Sequence, residues 1–134
     1  MSEGSGFDKI TIGMDLGTKE MTIDRETVDN YIKLVQWEAR ELTDKLGIVP
    51  PGMTTSGNAK MELGAFAGAR AAIWAKSERE FLKPLKIGNK IFIRGKVVDK
   101  YVKRDRNYVV AEFETRDDTG DILCRSRETA IRID

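Results

Sequence analysis

A proline-rich loop followed by a segment of small residues constrains the fold of this 134-residue chain more than any other feature. Residues 48–55 read IVPPGMTT, so Val49, which precedes a proline, is expected to be extended, and Gly52 gives the chain freedom to turn. Residues 57–72 are rich in glycine and alanine and predict a helix with small side chains. Each glycine costs such a helix roughly 1 kcal/mol relative to alanine. We therefore expect a sheet to pack closely on one side of this helix and a partner on another.

The composition excludes several classes of protein. The 23 Lys and Arg residues against 22 Asp and Glu give a net charge of +1, which is no electrostatic footprint for nucleic acid. The single cysteine, Cys124, excludes an internal disulfide, and the absence of histidine removes the other common zinc ligand, so no metal site is predicted. The first residues lack the pattern of a signal peptide and no apolar run reaches membrane-spanning length, so we expect a cytoplasmic protein.

Helical periodicity begins directly after a good N-capping residue. Asp24 is predicted as the N-cap and Gly47 as the C-cap of one helix over residues 25–46. Apolar residues recur along this segment at helical spacing and form one stripe. The stripe comprises Val28, Tyr31, Ile32, Val35, Ala39, Leu42 and Leu46.

From about residue 73 the apolar period changes to two, which is typical of strands. Turn residues at 104–107 and 117–120 divide the last three strands into an antiparallel meander. A strand, two helices and a meander predict an α+β fold with the helices on one face of a curved antiparallel sheet. Residues 1–14 are predicted to be a flexible tail and residues 15–134 a single domain. The predicted strands cover residues 20–23, 72–79, 91–102, 108–115 and 121–133.

Several motifs, in this order, resemble the hotdog fold, in which an antiparallel curved sheet wraps around a long central helix. In detail the chain resembles the MaoC-like branch of that superfamily, the enoyl-CoA hydratases and dehydratases. The resemblance covers the chain from about residue 15 to its end, and it implies a CoA or acyl-carrier thioester as the ligand, with no further cofactor. The residues that carry it are 16–19 (LGTK), 49–53 (VPPGM), 83–89 (KPLKIGN), 119–120 (TG) and 128–133 (ETAIRI).

The catalytic residues that the resemblance implies are missing from this chain. In active members an Asp and a His, in a loop that contains Asn-Pro and the His, activate water for addition to the double bond of an enoyl thioester. In an alignment with the active members, Glu38 takes the position of the catalytic Asp and Thr43 that of the catalytic His. Arg40 and Glu41 take the positions of the Asn and the Pro of the loop. A further histidine of the family is replaced by Pro51. Without the loop proline, helical periodicity continues through this region, which predicts that helix has replaced the catalytic loop.

The resemblance also implies that the other half of the site is retained. The family presents a backbone N–H near the start of the central helix to the thioester carbonyl, and Gly52, Met53 and Thr54 match that position. A helix N-terminus favours such a polarised oxygen, and the donor needs no particular side chain. Glu38 is the candidate catalytic carboxylate, with a surface or interface role as the alternative. Helix capping and core packing would equally explain the side chains that are candidates for the substrate tunnel. These candidates are Tyr31, Trp37, Thr55 and Asn58.

Three functions follow as hypotheses. The first is a subunit of an enoyl-thioester hydratase or dehydratase that is non-catalytic alone and pairs with a catalytic sister subunit, which supplies the Asp and His. Proteins of this branch are commonly dimers whose sheets join edge to edge, so the resemblance implies a homodimer or a heteromer. The second is a stand-alone acyl-thioester enzyme that uses Glu38 or Tyr31 as its acid or base. The third is a scaffold or a module that binds an acyl-CoA or acyl-carrier group without catalysis.

Overall fold

The computed structural model describes residues 6–37, 40–50, 53 and 68–134. The helix predicted over residues 57–72 falls mostly outside them. The helices are α1 (Gly6–Lys9), α2 (Arg25–Val35) and α3 (Arg40–Leu46), and the strands are β1 (Asp15–Thr22), β2 (Ala71–Phe81), β3 (Lys90–Lys103), β4 (Arg106–Asp117) and β5 (Ile122–Ile133). Within the described residues the strands form one antiparallel sheet in the order β1-β3-β4-β5-β2. The predicted meander is thus confirmed as the centre of the sheet, with β1 and β2 at its edges.

Side-chain alternation along β3 decides which face of the sheet forms the core. Ile91, Ile93 and Val97 are buried on the inner face, whereas Arg94 and Lys96 between them are exposed on the outer face. Successive residues of a strand point to opposite faces, so this pattern confirms the period of two that the sequence shows. Helix α2 and the proline-rich loop cover the inner face. The main core cluster consists of Ile23, Val28, Ile32, Val49, Met53, Leu85, Ile91, Ile93, Ala111, Phe113 and Leu123.

Helix α2 begins where the sequence predicts. Asp24 is extended (φ −84°, ψ 166°), and its Oδ1 accepts a hydrogen bond of 2.7 Å from the backbone N–H of Thr27. Hydrogen bonds from the side chain and the backbone of Thr27 hold the pKa of the Asp24 carboxyl below its ordinary value of 3.8. The cap is therefore strongest when this carboxyl is ionised.

We expect this cap to add a pH dependence to the stability of the protein. Folding lowers the pKa of the Asp24 carboxyl. The contribution of this carboxyl to the free energy of unfolding is therefore fully present above its pKa in the unfolded chain, and it is lost as the pH falls through its pKa in the folded protein. An Asp24→Asn variant keeps a side-chain acceptor but cannot ionise at this position. Its unfolding midpoint in urea should therefore fall less steeply than that of the wild type between about pH 5 and about pH 2. Equal slopes for the two proteins would contradict this role of Asp24.

The single helix predicted over residues 25–46 is wrong, because the chain leaves the helix after Val35. Gln36 adopts the left-handed conformation (φ 55°, ψ 48°), and the N–H groups of Gln36 and Trp37 both donate to the carbonyl of Ile32. The bond from Trp37 is the 6→1 bond of a Schellman motif, and the bond from Gln36 is the 5→1 bond of the simpler left-handed cap, so together they close α2. A stripe of apolar residues at helical spacing does not distinguish one long helix from two shorter ones joined by such a turn.

Helix α3 turns back along α2 instead of extending it. Arg40 Nη2 lies 3.1 Å from Asp29 Oδ1, and Arg25 Nη1 lies 3.1 Å from Asp44 Oδ1. Gly47 follows α3 with a φ of +67°, which confirms it as the C-cap. The expectation that the helix runs without a break through this region is therefore wrong, although Arg40, Glu41 and Thr43, the positions aligned with the catalytic loop, lie in α3. In the part of the chain that the structure describes, no helix has the length and apolar character needed to cross a bilayer.

Residues 6–14, which the sequence predicts to belong to a flexible tail, pack against the sheet instead. Phe7 in α1 and Ile10 just after it are buried. Lys100 Nζ lies 4.9 Å from the centre of the Phe7 ring and donates a hydrogen bond of 3.3 Å to the Phe7 carbonyl. The prediction is thus wrong for these residues, and the first five residues lie outside the described ones. The cluster that holds the segment consists of Phe7, Ile10, Val97, Val109 and Ala130.

Two tight turns connect the strands of the meander. Arg104 and Asp105 both have positive φ (52° and 60°), as a two-residue type I′ turn between antiparallel strands requires. In the next turn, Asp117 Oδ1 accepts hydrogen bonds from the N–H groups of Thr119 (2.9 Å) and Asp121 (3.0 Å). Both predicted turns are confirmed, although β4 already begins at Arg106.

Candidate functional site

The proline-rich loop is fixed to the segment that precedes β3. Ile48 forms an antiparallel bridge with Lys86, and the N–H of Val49 donates a hydrogen bond of 2.6 Å to the carbonyl of Leu85. Val49 and Pro50 are buried. The loop therefore enters the core in a defined position, beside the inner face of the sheet.

Met53 is the one described residue among the three predicted oxyanion donors. Its side chain belongs to the main core cluster, and its N–H donates a hydrogen bond of 3.1 Å to the carbonyl of Pro50. In this conformation the Met53 N–H is thus engaged in a local turn and is not available to a thioester carbonyl. Gly52 and Thr54 lie outside the described residues and stay predictions.

The structure separates the two described candidates for the substrate tunnel. Tyr31 on α2 is half-buried and packs against the core cluster that contains Met53. Trp37 follows α2 at the surface, with 37% of its area exposed. Tyr31 is thus the candidate that packs against the core cluster to which Val49 and Met53 of the proline-rich loop belong. Glu38, Thr55 and Asn58 lie outside the described residues.

A small apolar cavity opens beside the loop. Phe81 and Leu82 on its border are exposed, and its volume is about 240 Å³. Lys83 Nζ at the rim lies 2.7 Å from Asp121 Oδ2, and this hydrogen bond and charge raise the pKa of the Lys83 ammonium. Pockets for complete small ligands span about 300–1,000 Å³, so this cavity suits the end of an acyl chain or a single apolar side chain. It is lined by Ile48, Val49, Phe81, Leu82, Lys83, Pro84 and Leu85.

A buried carboxylate lies on the inner face of the sheet, on the strand that pairs with the edge strand β2. The side chain of Glu128 on β5 is completely buried, and its Oε2 accepts a hydrogen bond of 2.9 Å from Nε1 of Trp74. Its Oε1 lies 2.9 Å from Nη2 of Arg79, as an ion pair rather than as an aligned hydrogen bond. Because an unpaired buried charge is strongly destabilising, these two β2 side chains hold the carboxylate in place.

The outer face of the sheet carries charges whose sign changes from strand to strand. They surround an open groove of about 790 Å³. Arg127 Nη1 lies 3.5 Å from Glu112 Oε1, and Arg116 Nε lies 2.6 Å from Glu114 Oε1. Because acids and bases alternate, this face is an ion-paired surface and not a cationic site for CoA phosphates. The charged residues that line the groove from β3, β4, β5 and β2 are Arg94, Lys96, Glu112, Glu114, Arg125, Arg127, Glu78, Arg79 and Glu80.

Sequence reasoning did not single out Glu128 or Arg79. A signal was present, because Ser126, Glu128 and Ala130 alternate along β5 and all three are buried. The period of two therefore places a carboxylate on the core face. Its partners could not be found in the same way, since Trp74 and Glu128 lie 54 residues apart in the sequence.

The sequence matches no protein-family model, and no curated protein matches it. Several solved structures share its architecture. The HadBC complex, a 3R-hydroxyacyl-ACP dehydratase from Mycobacterium tuberculosis, matches with a TM-score of 0.74 and 16% identity over 90% of this chain and 98% of that chain. A monoamine oxidase regulatory protein from Archaeoglobus fulgius matches with a TM-score of 0.76 and 17% identity over 96% of this chain and 94% of that chain. The R-hydratase PhaJ1 from Pseudomonas aeruginosa matches with a TM-score of 0.71 and 14% identity over 96% of this chain and 85% of that chain.

These likenesses establish the fold. The chain has the α+β hotdog fold, and the similar solved structures include dehydratases and hydratases, among them a MaoC-like dehydratase. At 14–17% identity the three compared structures do not transfer an activity to this chain.

Proposed function

We propose that this chain is a hotdog subunit of an enoyl-thioester hydratase or dehydratase that is non-catalytic alone and pairs with a catalytic sister subunit. The observation that carries the proposal is the absence of histidine from the whole sequence, in a chain with the fold of a hydroxyacyl-ACP dehydratase and an R-hydratase. Histidine is the side chain most often used for general acid–base catalysis near neutral pH. A chain without it needs another source for the water-activating pair that the MaoC-like resemblance implies.

A second support is the open edge of the sheet. Strand β2 has 11 residues, and its other edge is unpaired within the described residues. A strand of this length with unpaired backbone groups is a template for another chain. One similar structure, HadBC, is itself a complex. The sister subunit would dock at this edge, next to the cavity bordered by Phe81 and Leu82.

The test compares the isolated chain with its complex. The chain, purified alone, should hydrate a short trans-2-enoyl-CoA no faster than buffer does. The tagged chain, recovered from its source organism, should bring with it a hotdog subunit that contains histidine, and this complex should be active. Removal of an acid–base residue typically costs about 10²–10⁴ in rate. Replacing the sister subunit's histidine by alanine should therefore lower the activity of the complex by at least about 100-fold.

Activity of the isolated chain would contradict the proposal. In that case Glu38→Gln and Tyr31→Phe variants would decide whether either side chain is the acid or base, because loss of the true group should lower the rate by about 10²-fold or more. If the isolated chain and every complex bind a CoA thioester in calorimetry without turnover, the third hypothesis, a thioester-binding module, would replace the proposal.

A further inference from the structure

The hairpin that joins β3 to β4 ends in a cluster of cations. Lys103, Arg104 and Arg106 are exposed, and none of them has an ion-pair partner among the described residues. With Asp105 they give residues 103–106 a net charge of +2, whereas the other 130 residues, with 20 cations and 21 acids, sum to −1. The positive charge of this nearly neutral chain is thus concentrated at one hairpin tip.

Two of these cations repel each other across the hairpin. Lys103 lies directly opposite Arg106 in the register of β3 and β4, and like charges directly opposite are destabilising. Both lie on the outer face, because Arg106 is an even number of positions from Glu112 along β4. Glu112 itself has a cation beside it, since Arg127 Nη1 lies 3.5 Å from its Oε1. An anion held between Lys103 and Arg106 would supply the negative charge that is missing at the tip.

A stacked pair of tyrosines lies next to the two opposed cations. Tyr101 and Tyr108 are directly opposite each other on the same face, with ring centroids 4.8 Å apart and an angle of 9° between the ring planes. Tyr108 has Ile131 of β5 as its other neighbour, whereas β1 pairs with β3 only as far as Lys96. Within the described residues no strand therefore lies beyond Tyr101, which is 38% exposed. This end of the stack is open to a third planar group.

We propose that the hairpin tip binds a nucleotide, whose base stacks on Tyr101 and whose phosphate groups lie between Lys103 and Arg106. Every base has an aromatic face that can stack on a tyrosine, so this contact needs no particular base. Lysine and arginine side chains are the usual partners of phosphate oxygens. A free nucleotide and the nucleotide end of CoA share this chemistry.

The proposed nucleotide site is distant from the cavity beside the proline-rich loop. Tyr108 pairs with Ile131, and Phe81 on the border of that cavity pairs with Cys124. The two positions on β5 are seven residues apart, roughly 23 Å at about 3.3 Å per residue. The inference therefore goes beyond the proposed function and does not depend on it.

Titration of the isotope-labelled protein with ADP, followed by amide chemical shifts in two-dimensional NMR, tests the site. The largest shifts should fall within residues 99–108 and should saturate. Adenosine lacks the phosphates and pyrophosphate lacks the base. Each should therefore bind at least about 10-fold more weakly than ADP, because each loses one of the two contacts.

Substitutions at the tip separate the two contacts. Tyr101→Ala should raise the dissociation constant for ADP by roughly 5- to 100-fold, the cost of one lost base–aromatic stack, whereas Tyr101→Phe should change it little. The double variant Lys103→Ala/Arg106→Ala should bind ADP no more tightly than adenosine, and it keeps the site testable if Tyr101→Ala fails to fold. Lys33→Ala, which removes an exposed cation from the last turn of α2, is the matched control and should bind ADP as the wild type does.

Titration with CoA distinguishes the two sources of the nucleotide. Binding of CoA at the tip at least as tight as that of ADP would assign the site to the nucleotide end of CoA, and weaker binding would assign it to a free nucleotide. Shifts outside residues 99–108, equal affinities for ADP and pyrophosphate, or unchanged affinity of Tyr101→Ala would overturn the site. A single-stranded oligonucleotide that binds at least about 100-fold more tightly than ADP would overturn it in favour of nucleic acid. None of these measurements involves turnover of a thioester, so failure here would leave the proposed hydratase role standing.

Discussion

An Arg79→Leu variant is expected to lose about 3–5 kcal/mol of unfolding free energy, the cost of removing one partner from a buried ion pair. Arg79 is the cation that lies 2.9 Å from the completely buried Glu128, and its own side chain is only 16% exposed. Solvent therefore does little to compensate the carboxylate once the guanidinium is gone. The measurement is urea unfolding followed by circular dichroism.

Two further variants separate this ion pair from general effects of losing an arginine. Arg127→Leu removes a half-exposed cation that lies 3.5 Å from Glu112 on the outer face, and it should cost less than about 1 kcal/mol. The double variant Arg79→Leu/Glu128→Leu should recover most of the loss, because apolar residues of similar size often replace a buried pair without cost. If Arg79→Leu costs no more than Arg127→Leu, the pair is not the stabilising contact described above.

A Gly95→Ala variant is expected to lose about 1–3 kcal/mol through overpacking of the core. Gly95 on β3 lies opposite Phe113 on β4, and the aromatic ring covers the glycine. A Cβ atom at this position would lie 2.5 Å from Cε1 and 2.6 Å from Cδ1 of Phe113. The ring is buried, so it cannot move aside without displacing its neighbours. The loss is measured as the shift of the urea midpoint.

The coupling with Phe113 distinguishes this clash from a general effect on the strand. A Phe113→Leu variant removes part of the ring, so the double variant Gly95→Ala/Phe113→Leu should be more stable than the sum of the two single losses implies. Lys96→Ala, the next position on β3 but on the outer face, should change the unfolding free energy by less than about 0.5 kcal/mol. If the losses of unfolding free energy from Gly95→Ala and Phe113→Leu simply add in the double variant, the proposed clash between the two positions is contradicted.

Local patterns were sufficient for the parts of the fold that local chemistry decides. The cap at Asp24, the left-handed Gly47 and the strands of the meander could be predicted because each depends on neighbours within a few residues. The break after Val35 could not, since Gln36 is neither glycine nor asparagine and carries no composition signal for the left-handed conformation. Nor could the packing of Phe7, whose cluster contains residues about 90 to 120 positions away in the sequence.

The candidate site was predicted less completely than the fold. The resemblance led to the proline-rich loop, and the structure places Met53 in the main core cluster and Tyr31 against that cluster. The sequence did not reveal that the N–H of Met53 donates to the carbonyl of Pro50, because such a turn depends on backbone angles that many sequences can adopt. The period of two along β5 places Glu128 on the core face, but its pairing depends on partners from a strand that is distant in the sequence and does not follow from a local pattern.

The order of the strands also has a consequence for how the chain folds. The pairs β3–β4 and β4–β5 are joined by short turns, whereas β2 reaches β5 across contacts such as the one between Trp74 and Glu128, 54 residues apart. Closing a long loop costs more conformational entropy than closing a hairpin, and distant pairings form slowly. We therefore expect the meander to form first and both edge strands to join it later, because β1 pairs with β3 across separations as long as that between Asp15 and Lys96. The open edge of β2, where we propose that a sister subunit docks, is then formed only after the meander, so we expect assembly to follow directly on completion of the fold.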